Sequence, residues 1–194
     1  MLKQLFLSTS LVMATAVMPV LPGISPLMPA AAASKYTEVN QIPALVGIKQ
    51  DDWIKTGGLA TGKMQFTKLG SNHLQIQQQI NLNRFARAAI EQVVERKLSS
   101  KTNDVKFRFE VKKQSDGTFS YLLFDEGNNQ LLLSGPVKVM VGAGSNSRSQ
   151  QLEFKAPLVK MHVTIEQAGK DIKGLAKYYI GPVPIPGNMP FSRL

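Results

Sequence analysis

From Thr61 onward, apolar and polar residues alternate with a period of two over most of the chain. In residues 73–83, Leu74, Ile76, Ile80 and Leu82 share one parity while Gln75, Gln77, Gln79 and Asn81 share the other. Successive side chains of a strand leave on opposite faces, so this stretch predicts a strand with one dry face and one face of uncharged amides. Residues 61–69 alternate in the same way and lead into it through Gly70, Ser71 and Asn72, which predicts a hairpin. The period then lengthens to 3.6: Phe85, Ala86, Ala89, Ile90, Val93 and Val94 fall on one side of a helix over 84–98, capped by Asn83. Arg87, Glu91, Gln92 and Glu95 fall on the other side, at spacings that allow i,i+4 pairs. Arg84, Arg87, Arg96 and Lys97 bring positive charge to this helix, and the interleaved Glu91 and Glu95 weaken it, so the helix reads as one that packs.

Beyond the helix the two-residue period returns. Val105, Phe107, Phe109 and Val111 alternate with Lys106, Arg108, Glu110 and Lys112, giving a strand with one wet, mostly basic face. Ser115, Asp116 and Gly117 turn the chain into 119–124, and Gly127, Asn128 and Asn129 turn it into 131–141. Pro136 lacks a backbone donor and belongs at an edge or bulge. Between 150 and 165 the apolar parity changes from even (Leu152, Phe154) to odd (Val159, Met161, Val163, Ile165), which predicts a bulge or corner at 156–158 around Pro157. Ala168, Gly169 and Lys170 lead into a last strand over 171–180. The proline-rich ending, 181–194, reads as an extended arm lying over the domain, and the opening, 34–58, as compatible with one short helix ended by Gly57 and Gly58. The expected fold is mainly β within an α+β class: a curved antiparallel meander, half-barrel or barrel-like, with one amphipathic packing helix.

The first 33 residues have a different character. Lys3 precedes an apolar run broken by Pro19, Pro22, Gly23, Pro26 and Pro29, and Ala31 and Ala33 suit a signal peptidase. The reading is a signal peptide over 1–33, cleaved between Ala33 and Ser34, and a single β-rich domain over 34–194. That places the protein in a periplasm, a lumen or the extracellular space. Export usually brings disulfides, yet the chain has no cysteine, so its stability must come from a packed core. The net charge is +10 and the leader contributes only Lys3 to it, so the domain is basic and suited to anionic partners such as membrane headgroups or cell-wall polymers. The compartment argues against nucleic acid.

No nucleophile elbow, zinc helix or phosphate loop is present, and no cofactor is implied. His73 and His162 sit on polar parities with no third ligand placed by local spacing, so no metal is expected. Asp51 and Asp52 beside Trp53 resemble a carboxylate pair at a sugar platform, but helix capping is the simpler account. Residues 142–150 read as a hairpin tip rather than an anion-binding loop, since a strand follows. The leading functional expectation is a non-enzymatic exported binding protein holding an acyl chain or other apolar small molecule on the concave face of its sheet, through Phe107, Phe109, Leu131, Leu133, Val137 and Val139. The alternative is an envelope scaffold or adhesion module that binds anionic surfaces or glycans through a basic, amide-rich face with Lys106, Arg108 and Lys112. A glycan-acting enzyme is third.

Overall fold

The computed structural model describes residues 36–57, 61–142 and 148–193, with side chains described as far as residue 185. The predicted signal peptide and the loop tip at 143–147 lie outside the described residues. The elements are β1 (Tyr36–Glu38), β2 (Trp53–Thr56), β3 (Gly62–Lys68), β4 (His73–Asn81), α1 (Arg84–Val93), β5 (Asp104–Lys113), β6 (Phe119–Asp125), β7 (Gln130–Gly142), β8 (Ser149–Lys155), β9 (Val159–Ala168), β10 (Asp171–Ile180) and β11 (Val183–Arg193). The fold is the expected curved antiparallel meander with one helix. From β2 to β11 each strand pairs with the next, and β11 pairs with β2 through Phe191↔Thr56, Ser192↔Lys55 and Arg193↔Ile54, so the pairing returns to its start. β1 adds to β7 beyond the start of β6.

The alternation seen in the sequence sets what lies inside. Met64, Phe66, Leu74, Ile76, Val105, Phe107, Val111, Phe154, Met161, Val163 and Tyr178 are all buried. Phe109 lies among three other rings: stacked on Tyr121 at 5.6 Å between centroids, and edge-on to Phe154 at 6.2 Å and Tyr178 at 6.1 Å. Such pairs add directional contacts to the burial of apolar area. The apolar face of the sheet is covered by the sheet curling onto itself.

Each end has its own cover. The segment after β1 sends Ile42 into the core and is tied down by Ile42 N–H to Ser71 O (2.8 Å), Lys113 Nζ to Asn40 O (2.8 Å) and the Gln150 amide to Ala44 O (3.0 Å). At the other end, where β4 stops and β5 starts, α1 and the chain after it contribute Ile90, Val94 and Leu98. Asn83 caps the helix as expected, its side chain accepting from Ala86 N–H at 2.8 Å. Gly181, in the β10–β11 turn, lies against Val93, whose methyl would be 2.9 Å from any Cβ placed there.

Several details depart from the sequence reading. The helix stops at Val93 rather than 98. Arg87 bonds the carbonyls of Leu98, Ser100 and Thr102, and Glu91 accepts from Lys97 and from Leu98 N–H, so the chain after Val94 folds back along the helix flank. Phe85, expected on the packed side, is 86% exposed, because it lies about 140° around the helix from Ile90 at 100° per residue. Residues 39–52 form turns and irregular chain, not a helix. Asp51 caps nothing: at φ 66° it accepts from Thr67 Oγ1 at 2.7 Å. The parity change near Pro157 marks a hairpin, not a corner within one strand. β8 and β9 pair as Leu152↔Val163 and Phe154↔Met161, and in this reversal even residues stand opposite odd ones. The proline-rich ending is β11, a strand of the sheet rather than an arm. Its prolines are tolerated because β2 pairs with it only at 191–193, leaving one side of 183–190 without a ladder among the described strands. Pro136 sits where β7 still has β6 on one side and has not yet met β8 on the other.

Candidate anion-binding groove

The β3–β4 hairpin fixes a register in which Lys63 stands opposite Gln79. The neighbouring pairs extend this level on both sides, Lys55↔Lys63 across β2–β3 and Gln79↔Lys106 across β4–β5. Lys55, Lys63, Gln79 and Lys106 therefore form one cross-strand row on the outer face, spanning three interstrand steps or about 14 Å. The row lines a groove of about 530 Å³, completed by Thr61, Gly62, Asn81 and Asp104. None of the three lysines bonds a carboxylate among the described residues. Lys63 Nζ rests 4.6 Å from the Trp53 ring centroid, and the groove's one acid, Asp104, accepts from Asn81 Nδ2 at 2.7 Å. Gly62 is required by close approach, since a Cβ there would stand 2.2 Å from Gln79 O.

One strand level away, the row Trp53, Gln65, Gln77, Arg108 and Phe124 begins and ends in an aromatic ring. Gln77 donates to Glu126 at 2.6 Å, and the Arg108 guanidinium lies 4.4 Å from the Phe124 centroid. The amide row is thus partly committed to internal bonds, with Gln79 facing the groove.

Of the basic residues expected to act together, only Lys106 lies in the groove. Arg108 and Lys112 both bond Glu110, at 2.9 and 2.6 Å, and Arg108 also donates to Asn129 at 2.6 Å. Burial pushes the Glu110 carboxyl up, but Lys112 and Arg108 together hold it below the usual carboxylate value. His73, 3.6 Å from Glu110, is held below the usual imidazole value by burial and by Lys112, against the pull of Glu110. Lys55 and Lys63 were the residues missed. Lys63 was legible from the hairpin register, whereas Lys55 lay in a segment read as helical.

The apolar set is divided as well. Phe107, Phe109, Val137 and Val139 are buried, Leu133 is half-buried, and Leu131 points outward at 40% exposure. β7 carries an extra residue here: Leu123 pairs with Leu133 and Phe124 with Leu131, so the intervening Leu132 is the buried one. Val137 also borders a second groove, of about 1070 Å³, with Phe119, Pro136, Met140 and Pro157. His162 interacts with the Tyr36 hydroxyl and ring, linking β1 to β9. Among the described residues no three His, Asp or Glu side chains are grouped as a metal site requires. No protein-family model, curated protein or solved structure matches the chain.

Proposed function

We propose that this is an exported, non-enzymatic binding protein whose partner is an anionic polymer or surface held in the Lys55–Lys63–Gln79–Lys106 groove. The observation that carries the reading is the cross-strand row itself. Like charges directly opposite each other cost stability, and three lysines on one level around a concavity gather positive field where a strand of anions can lie. Gln79, between the cations, offers both donor and acceptor to neutral hydroxyls of the same partner. A binding role is favoured over catalysis because the buried carboxylates are committed to structure: Glu110 and Glu153 in ion pairs, and Asp125 accepting from Ser99 and Gly127. The leader-like start of the chain supports export.

The test is a titration with a soluble polyanion, dextran sulfate, at two salt concentrations. The expected result is binding that weakens as salt rises and is lost when Lys55, Lys63 and Lys106 are all changed to Gln. Equal binding by wild type and triple variant would remove the groove as the site. The second reading, an apolar ligand, rests on the groove of about 1070 Å³ bordered by Phe119, Val137 and Met140. A fluorescent fatty acid displaced by Met140→Asp would favour it.

A further inference from the structure

We infer that the anionic partner is a lipid bilayer, met by the helix-bearing end of the sheet with Phe85 entering the apolar layer, an inference that rests on the groove's being an anion site. Strand direction alternates around the meander, so the ends of β2, β4, β6, β8 and β10 share one end of the sheet with α1. Three of the four exposed large apolar side chains among the described residues lie there: Phe85 at 86%, Leu158 at 46% and Leu131 at 40% exposure. The fourth, Leu69, is at the opposite end. Singly scattered apolar residues are ordinary on a surface, but a phenylalanine left in water on the first turn of a helix, at the same end as two leucines, is a directional feature.

The charge at this end fits the same partner. Arg84, Arg96 and Lys101 join no ion pair among the described residues, and the groove lies at the same end, with Asn81 at its rim three residues before Arg84. The acids nearby are Glu91, paired with Arg87 and Lys97; Glu95, exposed; Asp104, bonded by Asn81; Asp125, buried and bonded by Ser99; and Glu126, bonded by Gln77. Cations therefore predominate. A soluble polyanion would use the lysines and gain nothing from Phe85. An anionic bilayer offers charge at its surface and hydrocarbon just beneath it, which engages both. The outer faces of β2–β5 carry Lys55, Lys63, Gln79 and Lys106 rather than an apolar band, so the contact inferred is peripheral.

The experiment uses protein purified from its own host, with vesicles of phosphatidylcholine alone or mixed with phosphatidylglycerol, beside the dextran sulfate titration. Phe85→Ser is expected to weaken binding to the anionic vesicles about tenfold or more while leaving dextran sulfate affinity unchanged. The triple lysine variant should lose both. The chain has no cysteine, so Phe85→Cys and Leu69→Cys each give a single labelling position for a polarity-sensitive dye. A blue shift on anionic vesicles is expected at 85 and not at 69. If Phe85→Ser binds vesicles as wild type does, or the dye shifts equally at both positions, the bilayer inference is overturned while the groove reading stands. If wild type binds neither vesicles nor dextran sulfate, both fall.

Discussion

Lys55 and Lys63 stand directly opposite one another across β2–β3, two cations on one outer level with no carboxylate bonded to either among the described residues. Such an arrangement works against the sheet that carries it. Lys55→Gln is therefore expected to raise the midpoint of urea unfolding while weakening polyanion binding. The gain should shrink as salt screens the repulsion. A lower midpoint for the variant would show that the lysine stabilises the fold.

A second cost lies inside. Gln78 is 1% exposed, and among the described residues neither its amide nitrogen nor its amide oxygen has a hydrogen-bond partner. Replacing it by the similarly shaped Met removes the unsatisfied amide, and Gln78→Met should stabilise the protein by about 1–3 kcal/mol, read from equilibrium unfolding. Destabilisation of that size would mean that the amide is satisfied by a bound molecule.

Phe109, stacked on Tyr121 and edge-on to Phe154 and Tyr178, should cost about 3–5 kcal/mol when cut to Ala. Leu131→Ser, on the outer face, should change stability by no more than about 0.5 kcal/mol. Similar losses at the two positions would refute the inward and outward assignment around the bulge at Leu132.

Acid should act through His73 first and Glu110 next. His73 is held neutral in the folded protein below its ordinary value, so the unfolded chain binds the extra proton first, and stability falls as pH drops below about 6.5. Glu110 is held ionised below its ordinary value, and its contribution, present above about 4.5, is lost as pH falls further towards its folded value. His73→Gln should remove the upper step and leave the lower one. Urea midpoints measured from pH 8 to pH 3 give the comparison, and an unchanged upper step would assign it elsewhere.

How much of this was legible in the sequence depended on the range of the information. The strands 104–113 and 171–180, the hairpin at 70–72 and the Asn83 cap follow from local alternation and turn chemistry, and they stand as expected. What failed was decided between distant segments. The helix is shortened by Arg87 reaching carbonyls 11 to 15 residues away, and the ending becomes a strand because β10 and β2 flank it. For the basic site, alternation correctly placed Lys106, Arg108 and Lys112 on one face. It also placed Glu110 between Arg108 and Lys112, which it takes up, but carried no information that β2 and β3 would bring Lys55 and Lys63 level with Lys106.

Anion binding by the outer face of β2–β5 as one surface can be read from backbone amide shifts mapped while dextran sulfate is added. Shifts concentrated at 53–56, 62–65, 77–81 and 104–106, fading as salt is raised, are expected. Shifts centred instead on β9 and β10, which carry Lys160, Lys173 and Lys177, would contradict it and show that general positive charge, not the lysine row, attracts the partner.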